Sequence, residues 1–421
     1  YLIVCHMSEK ARLEQNYQKG DFQGKWLKWG PYLSERQWGT VREDYSAEGD
    51  AWNYFPHDHA RSRVYRWGED GIAGISDDLQ RLCFSVALWN GKDPILKERL
   101  FGLTGPEGNH GEDVKELFYY LDNTPSHAYM KYLYKYPHGE YPYGDIVQTN
   151  QTRGKYGGEY ELLNTGLFDK GHYFDVMVTY AKADWNDIAI EIEVTNCSEE
   201  EADIWILPQL WFRNLWTFNR MAERPQFESV KQNKRGFEVR GEHPEIGSYS
   251  FWGPNPDYLL FTENETNQER IFGRPNPNPF TKDAFHRAVI EDDYDFLKDK
   301  KAGSKLAPVY HILLEGEETR TFCLRLSAHA DTKHPLDIGP ILQNRKKEAD
   351  EFYDSMVPSH GDRELANIQR QAFAGLLWTK QYYNFDIPSW LDGDPGLPPP
   401  PVARKMGRNT HWKYLNNEDI L

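Results

Sequence analysis

A regular alternation of apolar and polar residues runs through positions 185–195. Apolar side chains occupy every second position: Ile188, Ile190, Ile192 and Val194. The same period of two returns at residues 322–327, where Phe322, Leu324 and Leu326 alternate with more polar neighbours. A period of two is typical of a β-strand that buries one face. Both stretches are therefore predicted to be strands.

The region from about residue 82 to about residue 329 contains many such strand patterns and few helical ones. Further strands are predicted at residues 173–180, 204–212 and 258–262, with turn-forming residues between them. Parallel strands would need crossover helices between them, which this region lacks. The pattern predicts a large antiparallel β-sandwich.

Beyond a predicted linker at residues 332–340 the period becomes helical. Residues 341–356 form a charged helical pattern, and residues 363–383 place apolar positions along one side of a second helix: Leu365, Ile368, Ala372 and Leu376. Two helices alone cannot bury such a face. The predicted organisation is an N-terminal lead-in (1–28), a β-sandwich domain (29–335), and a linker helix with the start of a helical domain (336–421).

The charge and the aromatic content limit the partners. A net charge of −16 argues against nucleic acid and against an anionic membrane, whereas a neutral oligosaccharide is compatible with it. Aromatic residues make up 14% of the chain. A β-rich core and a carbohydrate-binding surface both favour such a content.

The cysteines and the first residues of the chain indicate the cellular compartment. Four widely spaced cysteines indicate neither a zinc site nor a disulfide framework. The six residues before Met7 are too short for a signal-peptide core, and Met7 is the expected natural start. We therefore expect a cytoplasmic protein.

One candidate site lies in the stretch from Trp29 to Tyr45, which mixes rings, carboxylates and arginines. Its candidate substrate-binding or domain-interface residues are Glu35, Arg36, Trp38, Arg42 and Asp44. Rings stack on the apolar faces of sugars, while carboxylates and guanidinium groups bind sugar hydroxyls. The same residues could instead hold two domains together, and the two roles coincide where a cleft forms between domains.

A glycine-rich loop at residues 105–113 supplies the other candidates. These are Glu107, Asn109, His110, Glu112 and Asp113. The loop lacks the lysine of a phosphate-binding loop and the spacing of a calcium-binding loop. Its glycines suit either a polar cleft that a ligand approaches closely or a surface loop between two strands.

Two further motifs have a functional and a structural interpretation. His57 and His59 have a spacing found in some metal sites, but no other ligand cluster completes a coordination set, so neither a metal nor a cofactor is expected. The tyrosines of residues 118–136 could cover an edge of the sandwich or form stacking platforms.

Several segments together resemble the amino-terminal part of bacterial glycoside hydrolase family 63 proteins. These relatives of the processing mannosyl-oligosaccharide glucosidases belong to the six-hairpin glycosidase superfamily. The segments are residues 34–44, 55–61, 88–93, 99–105 and 371–378. The resemblance implies a mainly β domain followed by the first helices of an incomplete (α/α)6 barrel. It also implies inverting hydrolysis of α-glucosidic bonds in oligosaccharides, with an Asp acid, a Glu base and no metal.

The same resemblance bears on the catalytic residues. The family's acid and base are expected after residues 407–414, beyond Leu421, so no catalytic residue is assigned and the chain is expected to be an inactive, C-terminally truncated part of the enzyme. Two alternatives stay open: a stand-alone carbohydrate-binding sandwich, and an inverting glycoside phosphorylase of similar architecture. The sequence leaves the exact substrate and the oligomeric state open.

Overall fold

The computed structural model describes residues 7–17, 25–35, 37–47, 49–50, 52–108, 113–154, 156–329, 332, 334–356 and 362–421. The strands are β1 (Trp29–Gly30), β2 (Ile72–Asp77), β3 (Leu82–Trp89), β4 (Gly102–Leu103), β5 (Asp113–Val114), β6 (Phe118–Asn123), β7 (Tyr129–Pro137), β8 (Tyr173–Asp184), β9 (Asp187–Asn196), β10 (Ala202–Phe212), β11 (Gln226–Asn233), β12 (Gly236–His243), β13 (Gly247–Gly253), β14 (Tyr258–Thr262), β15 (Ala302–Gly303), β16 (Lys305–Leu314), β17 (Thr319–Ser327), β18 (Tyr382–Asp386) and β19 (Asn416–Ile420). The α-helices are α1 (Glu9–Tyr17), α2 (Gln37–Thr40), α3 (Arg42–Tyr45), α4 (His57–Ala60), α5 (Tyr143–Arg153), α6 (Gln268–Phe272), α7 (Ala284–Ile290), α8 (Gly339–Asp354), α9 (Arg363–Trp378) and α10 (Ile387–Asp392).

Two large antiparallel sheets form the body of the protein. One has six strands in the order β1-β2-β3-β10-β16-β14, and the other has nine in the order β15-β11-β12-β13-β17-β9-β8-β7-β6. Their inner faces share one apolar core, in which the ring of Phe84 lies 6.1 Å from that of Tyr180 and 6.0 Å from that of Phe251. The predicted large antiparallel β domain is confirmed.

The alternating stretch at 185–195 is strand β9, and its apolar residues face the core. Ile188, Ile190, Ile192 and Val194 are all buried. The opposite face of the nine-stranded sheet is covered in part, because Ile338 and Ile341 at the start of α8 pack against Ala181 on β8 and Ala189 on β9. The later outward-facing residues of β9 are only half-buried. The alternation therefore predicted which face is inner, but not that α8 covers part of the outer face.

Most of the tyrosines of residues 118–136 fill the interior. Tyr132, Tyr134 and Tyr136 on β7 are fully buried members of the main core, whereas Tyr119 on β6 is 43% exposed. Burial of these large rings accounts for much of the aromatic content without any ligand. Tyr132, Tyr134 and Tyr136 therefore pack in the main core, which is neither of the two roles considered from the sequence, edge cover and stacking platform.

Helix α9 covers the edge strand β6. The ring of Trp378 stacks on that of Tyr120 at 5.6 Å, and the Trp378 indole N–H donates to the carbonyl of Asp122. An uncovered edge strand would pair with other chains, so this helix also protects the sheet. No helix of the described part of the chain is both long and apolar enough to cross a membrane.

The second predicted helix differs from the structure in length and in orientation. It ends at Trp378 rather than Tyr383, because Tyr382–Asp386 pairs with Asn416–Ile420 as a small antiparallel sheet. The side that carries Leu365, Ile368 and Leu376 is exposed, and the side with Ala374 and Trp378 packs on the sandwich. Within the described residues α8 and α9 lie on the sandwich, and no (α/α)6 barrel is shown.

A second apolar cluster joins the segment before β2 to the last described part of the chain. Tyr45, Phe55 and Trp67 pack there with Phe385 and Trp390. The Trp390 indole N–H donates to the backbone carbonyl of Asp44 at 2.9 Å. Residues that are more than 300 positions apart thus form one wall, and the candidate site lies along it.

A buried ion pair between Arg325 and Asp187 links two strands of the nine-stranded sheet, and its removal tests how much the pair stabilises the fold. The Arg325 Nε donates to Asp187 Oδ1 at 2.7 Å and its Nη2 to Oδ2 at 2.5 Å, with both side chains buried. Asp187→Ala leaves the guanidinium group buried without its carboxylate, so we expect the free energy of unfolding to fall by about 3–5 kcal/mol. Chemical denaturation measures the change.

The matched control is Lys298→Ala, which breaks the exposed pair between Lys298 and Asp295. Exposed pairs contribute about 0–1 kcal/mol, so this variant should unfold almost like the wild type. Equal effects of the two substitutions would contradict the role assigned to the buried pair.

Candidate functional site

The sequence candidates separate into three groups in the structure. Arg36, Asn109, His110 and Glu112 lie outside the described residues, and the side chains of Trp38 and Asp113 are likewise not described. Asp44 lines a cleft, described below. The remaining three, Glu35, Arg42 and Glu107, lie elsewhere.

A cleft of about 270 Å³, here called the Asp44 cleft, lies between the first part of the chain and the last. Helix α3, residues 54–66, the end of α6 and residues 393–404 form its walls. The lining residues with polar or aromatic side chains are Asp44, Tyr45, Tyr54, Arg63, Arg66, Phe272, Asp394 and Arg404, and Pro398 to Pro401 close one side. This combination of rings, carboxylates and guanidinium groups is the chemistry expected for residues 29–45.

Arg66 holds both carboxylates of the cleft. Its Nη1 lies 3.0 Å from Asp44 Oδ1, and its Nη2 donates to Asp394 Oδ1. Burial lowers the pKa of Arg66, but the two carboxylates outweigh burial and raise its pKa above the usual value. Burial raises the pKa of Asp44, and the charge of Arg66 opposes that rise. Neither carboxylate is therefore available as a general acid or base unless it leaves Arg66.

Arg63 is a buried charge in the wall of the cleft. Its side chain is buried, its Nη1 donates to the Tyr54 hydroxyl at 2.9 Å, and its guanidinium carbon lies 4.1 Å from the centre of the Tyr45 ring. Within the described residues no carboxylate forms an ion pair with it, and its Nε has no hydrogen-bond partner. A buried guanidinium group with unused donors favours a ligand that supplies oxygen acceptors.

Arg404 completes the group of three arginines. Its guanidinium group donates to three backbone carbonyls, those of Ser46, Ala47 and Trp390. It therefore ties the proline-rich segment to α3 without a carboxylate partner among the described residues. Three guanidinium groups thus face two carboxylates, so the described walls of the cleft are basic although the chain as a whole is acidic.

Glu35 lies outside the cleft, in the interior. Its Oε2 accepts a hydrogen bond from the Tyr120 hydroxyl at 2.9 Å. Burial raises the pKa of Glu35 to about 7, although hydrogen bonds to the carboxylate lower it in part. A carboxyl with such a pKa could transfer protons near neutral pH, but Glu35 is not among the residues that line the Asp44 cleft.

Arg42 contacts the strand that precedes the glycine-rich loop. Its Nη2 donates to the carbonyl of Leu103 on β4 at 2.8 Å, and the Gly105 N–H at the start of the loop donates to the carbonyl of Trp52 at 2.7 Å. Glu107 accepts from both the backbone N–H and the hydroxyl of Thr104, which caps a short 3-10 turn. Arg42 therefore joins α3 to β4, whereas these contacts of Glu107 are local.

The two histidines considered for a metal lie on helix α4 and not on a strand. His57 is buried with its ring 5.2 Å from that of Phe101, and burial lowers its pKa well below the usual value. No group of three or more His, Cys, Asp or Glu side chains in the described part of the chain is arranged to hold a metal ion.

Sequence reasoning missed most of the charged residues that line the cleft with Asp44. Arg63 and Arg66 fall in segments whose aromatic and charged mixture resembles that of residues 29–45, so composition could have indicated them. Asp394 and Arg404 lie in a proline-rich region whose pattern predicts only the end of a helix. Their place in the site depends on a contact across more than 300 positions.

Comparison with known proteins identifies a long relative of unknown function. The chain is 42% identical over 461 aligned positions to an uncharacterised protein of Saccharomyces cerevisiae, and the alignment covers 98% of this chain and 42% of the yeast protein. The chain thus spans less than half the length of that relative. No family model matches the chain.

Solved structures show only distant similarity. A protein assigned as a kojibiose phosphorylase from the human microbiome has a TM-score of 0.25 and 9% identity, covering 81% of this chain and 39% of that one. A galactose mutarotase related enzyme from Lactobacillus acidophilus has a TM-score of 0.28 and 9% identity, with coverage of 62% and 95%. A protein assigned as an aldose 1-epimerase from Escherichia coli K12 has a TM-score of 0.23 and 11% identity, with coverage of 52% and 68%. Similarities of this size carry no argument about function.

The pKa of Glu35 gives a testable pH dependence of stability. Because this pKa is about 7 in the folded protein and near 4.5 in the unfolded chain, the folded state holds the proton more tightly, and its contribution to stability is lost as the pH rises through that interval. Glu35→Gln stays neutral at every pH. Between about pH 5 and about pH 8 the wild type should therefore lose roughly 2–3 kcal/mol more unfolding free energy than the variant.

Chemical denaturation of both proteins across this range measures the difference. Glu228→Gln is the control, since it makes the same chemical change at an exposed position on β11. Parallel pH profiles for the wild type and Glu35→Gln would show that Glu35 is already ionised at low pH in the folded protein.

Proposed function

We propose that this chain is the β-sandwich part of a glycoside hydrolase of the family 63 type, which hydrolyses α-glucosidic bonds with inversion. In this proposal the sandwich spans 29–335, and residues 336–421 begin an (α/α)6 catalytic domain. The resemblance of residues 34–44, 55–61, 88–93, 99–105 and 371–378 to that family supports it. The proposed substrate is an oligosaccharide.

The observation that carries the proposal is the lining of the Asp44 cleft. Rings of Tyr45, Tyr54 and Phe272 offer apolar surface, and Arg63 offers unused hydrogen-bond donors beside them. Pockets for polar ligands combine aromatic walls with a few directed polar groups in this way. A sugar has both surfaces, since its ring carries C–H groups and hydroxyls together.

The same geometry argues that the cleft binds and does not cleave. An inverting glycosidase needs one protonated acid and one free base, about 6.5–9.5 Å apart, with room for a water molecule. Asp44 and Asp394 instead share one guanidinium group. In the proposal the acid and the base therefore come from segments beyond Leu421, as the resemblance implies.

Exposed apolar residues support a further helical layer. Leu365, Ile368 and Leu376 on α9 are 63%, 58% and 73% exposed. Trp412, which precedes β19 in the sequence, is 67% exposed. An amphipathic helix normally buries such a stripe. In the proposal the remaining helices of the barrel cover it.

Hydrolysis assays test the proposal. Glucose release from a panel of α-linked disaccharides is measured for this 421-residue chain and for a protein that continues the reading frame past Leu421. Only the longer protein should cleave, and the released anomer should be inverted. Turnover by the 421-residue chain alone would place a catalytic pair inside it and contradict the proposal.

Substitution of Arg63 tests the cleft in the longer protein. Arg63→Ala removes hydrogen bonds from a charged donor, so kcat/KM should fall about tenfold or more. Arg63→Lys should retain only part of the wild-type kcat/KM, because lysine lacks the planar, forked donors of a guanidinium group. Arg274→Ala is the control, as it removes an exposed arginine that lies outside the cleft. Unchanged kinetics in Arg63→Ala, with unchanged folding, would exclude the cleft from substrate binding.

An inverting phosphorylase is the second candidate, and the basic character of the cleft favours it. Arg63 would donate hydrogen bonds to a phosphate oxygen as readily as to a sugar hydroxyl. Adding inorganic phosphate to the same assay distinguishes the two, because a phosphorylase releases glucose 1-phosphate. If the 421-residue chain and the longer protein both bind sugars and neither shows turnover, the chain would instead be a carbohydrate-binding sandwich.

A further inference from the structure

The outer face of the six-stranded sheet is only partly covered. Helix α7 packs Phe285 and Val289 against Leu207 and Val309 on β10 and β16. The next outward-facing residues, two positions along each strand, lie beyond this helix. They form a row of rings across three strands: Trp89, Trp205 and His311.

These rings are in close contact with one another. Trp205 stacks on His311 with ring centres 3.7 Å apart and planes 5° apart, and its centre lies 4.5 Å from that of Trp89. A second stacked pair lies beside the row, where Tyr258 on β14 and Tyr294 are 4.0 Å apart. A side chain at position 91 would disturb the row, because a Cβ on Gly91 would lie 3.3 Å from the Trp205 ring.

The two ring pairs line a long groove, here called the Trp205 groove. One part has a volume of about 730 Å³ and is lined by Trp89, Trp205, His311 and the tyrosine pair. An adjoining part of about 480 Å³ shares four of its lining residues: Asp257, Tyr258, Asp292 and Tyr294. The shared residues make the two parts continuous, which suits an extended ligand better than a compact one.

The charges of the groove disfavour an anionic ligand. Asp257 and Asp292 border its larger part, and no Lys or Arg is among the described residues that line that part. The adjoining part has four aspartates against two lysines in its described lining, so it is acidic as well: Asp257, Asp292, Asp293, Asp295, Lys298 and Lys301. Asp203 Oδ1 lies 2.8 Å from His311 Nε2 and holds the imidazole in its stacked position. Carboxylates at this edge supply acceptors for hydroxyl groups.

The stacked rings limit the surface that a ligand can contact. His311 stacks on one face of Trp205, and Tyr294 stacks on one face of Tyr258. Tyr258 is 47% exposed, so its remaining surface can stack on the apolar face of a sugar. A cation also binds over the face of an aromatic ring, where the quadrupole is negative, so a cation probe is needed to distinguish the two ligands.

We infer that the Trp205 groove binds a neutral oligosaccharide chain, as a second carbohydrate site. The groove shares no lining residue with the Asp44 cleft. Its role is to hold an extended sugar polymer on the outer face of the sandwich. The inference does not require the chain to be part of a hydrolase.

Binding by calorimetry tests the inference, with maltoheptaose and cellohexaose as probes and the 421-residue protein in the Arg63→Ala background. That background separates the groove from the Asp44 cleft. At least one probe should bind, and Tyr258→Ala should weaken its binding about tenfold, as expected for the loss of an aromatic contact. Asp292→Asn, which removes a carboxylate without changing size, should also weaken it.

Tyr119→Ala is the matched control, because Tyr119 is 43% exposed and lies on β6 of the other sheet. It should bind like the parent protein. Failure of both probes to bind, or binding that neither Tyr258→Ala nor Asp292→Asn changes, would overturn the inference. Tyr258-dependent binding of tetramethylammonium without oligosaccharide binding would overturn it in favour of a cation site.

Discussion

The double ion pair of Arg66 holds the candidate site together. It joins Asp44 on α3 to Asp394, which lies 328 positions further along the chain than Arg66. Removing a guanidinium group from water is costly, and two carboxylates on one such group offset that cost only when the geometry is held closely. The apolar contacts of Trp390 with Tyr45, Phe55 and Trp67 supply the rigid support. The cleft exists because these two interactions bring the first and last parts of the chain together.

A second set of buried charges fixes residues 60–100 and lines neither the Asp44 cleft nor the Trp205 groove. Lys282 binds Glu69, Arg99 binds Asp70, and Lys305 binds Glu98. Burial raises the pKa of Glu69 to about 7; it also acts on Glu98, where Lys305 and Arg99 outweigh it and lower the pKa to about 2. Such divergent carboxyl pKa values often mark active sites, but here each group has a structural partner inside the fold. Perturbed pKa values alone therefore do not single out a site in this protein, and the candidate site rests on the lining of the Asp44 cleft and on the unused donor of Arg63.

The sequence predicted features that depend on local spacing. The alternation in β9 and β17 identified the inner face of the nine-stranded sheet, since a period of two follows from the pleat alone. Features that depend on register were not predictable. Trp89, Trp205 and His311 become neighbours only because β3 and β16 pair with β10 at particular positions. The ion pair that joins Asp394 to Arg66, and through it to Asp44, was equally unpredictable. A contact across hundreds of residues leaves no pattern in either local segment.

Helix α9 shows how a correct period can still give a wrong face. Its sequence places apolar residues on two sides, one with Ala374 and Trp378 and the other with Leu365, Ile368 and Leu376. The first side is buried because Trp378 fits between Tyr120 and Tyr132 at the sheet edge, where large aromatic surfaces meet. Burial of the second side would stabilise the protein by about 25 cal/mol per Å² of apolar area removed from water. A helix with apolar residues on two sides is therefore most stable between two layers. The sandwich supplies one of those layers, and the exposed residues define the surface on which the other would pack.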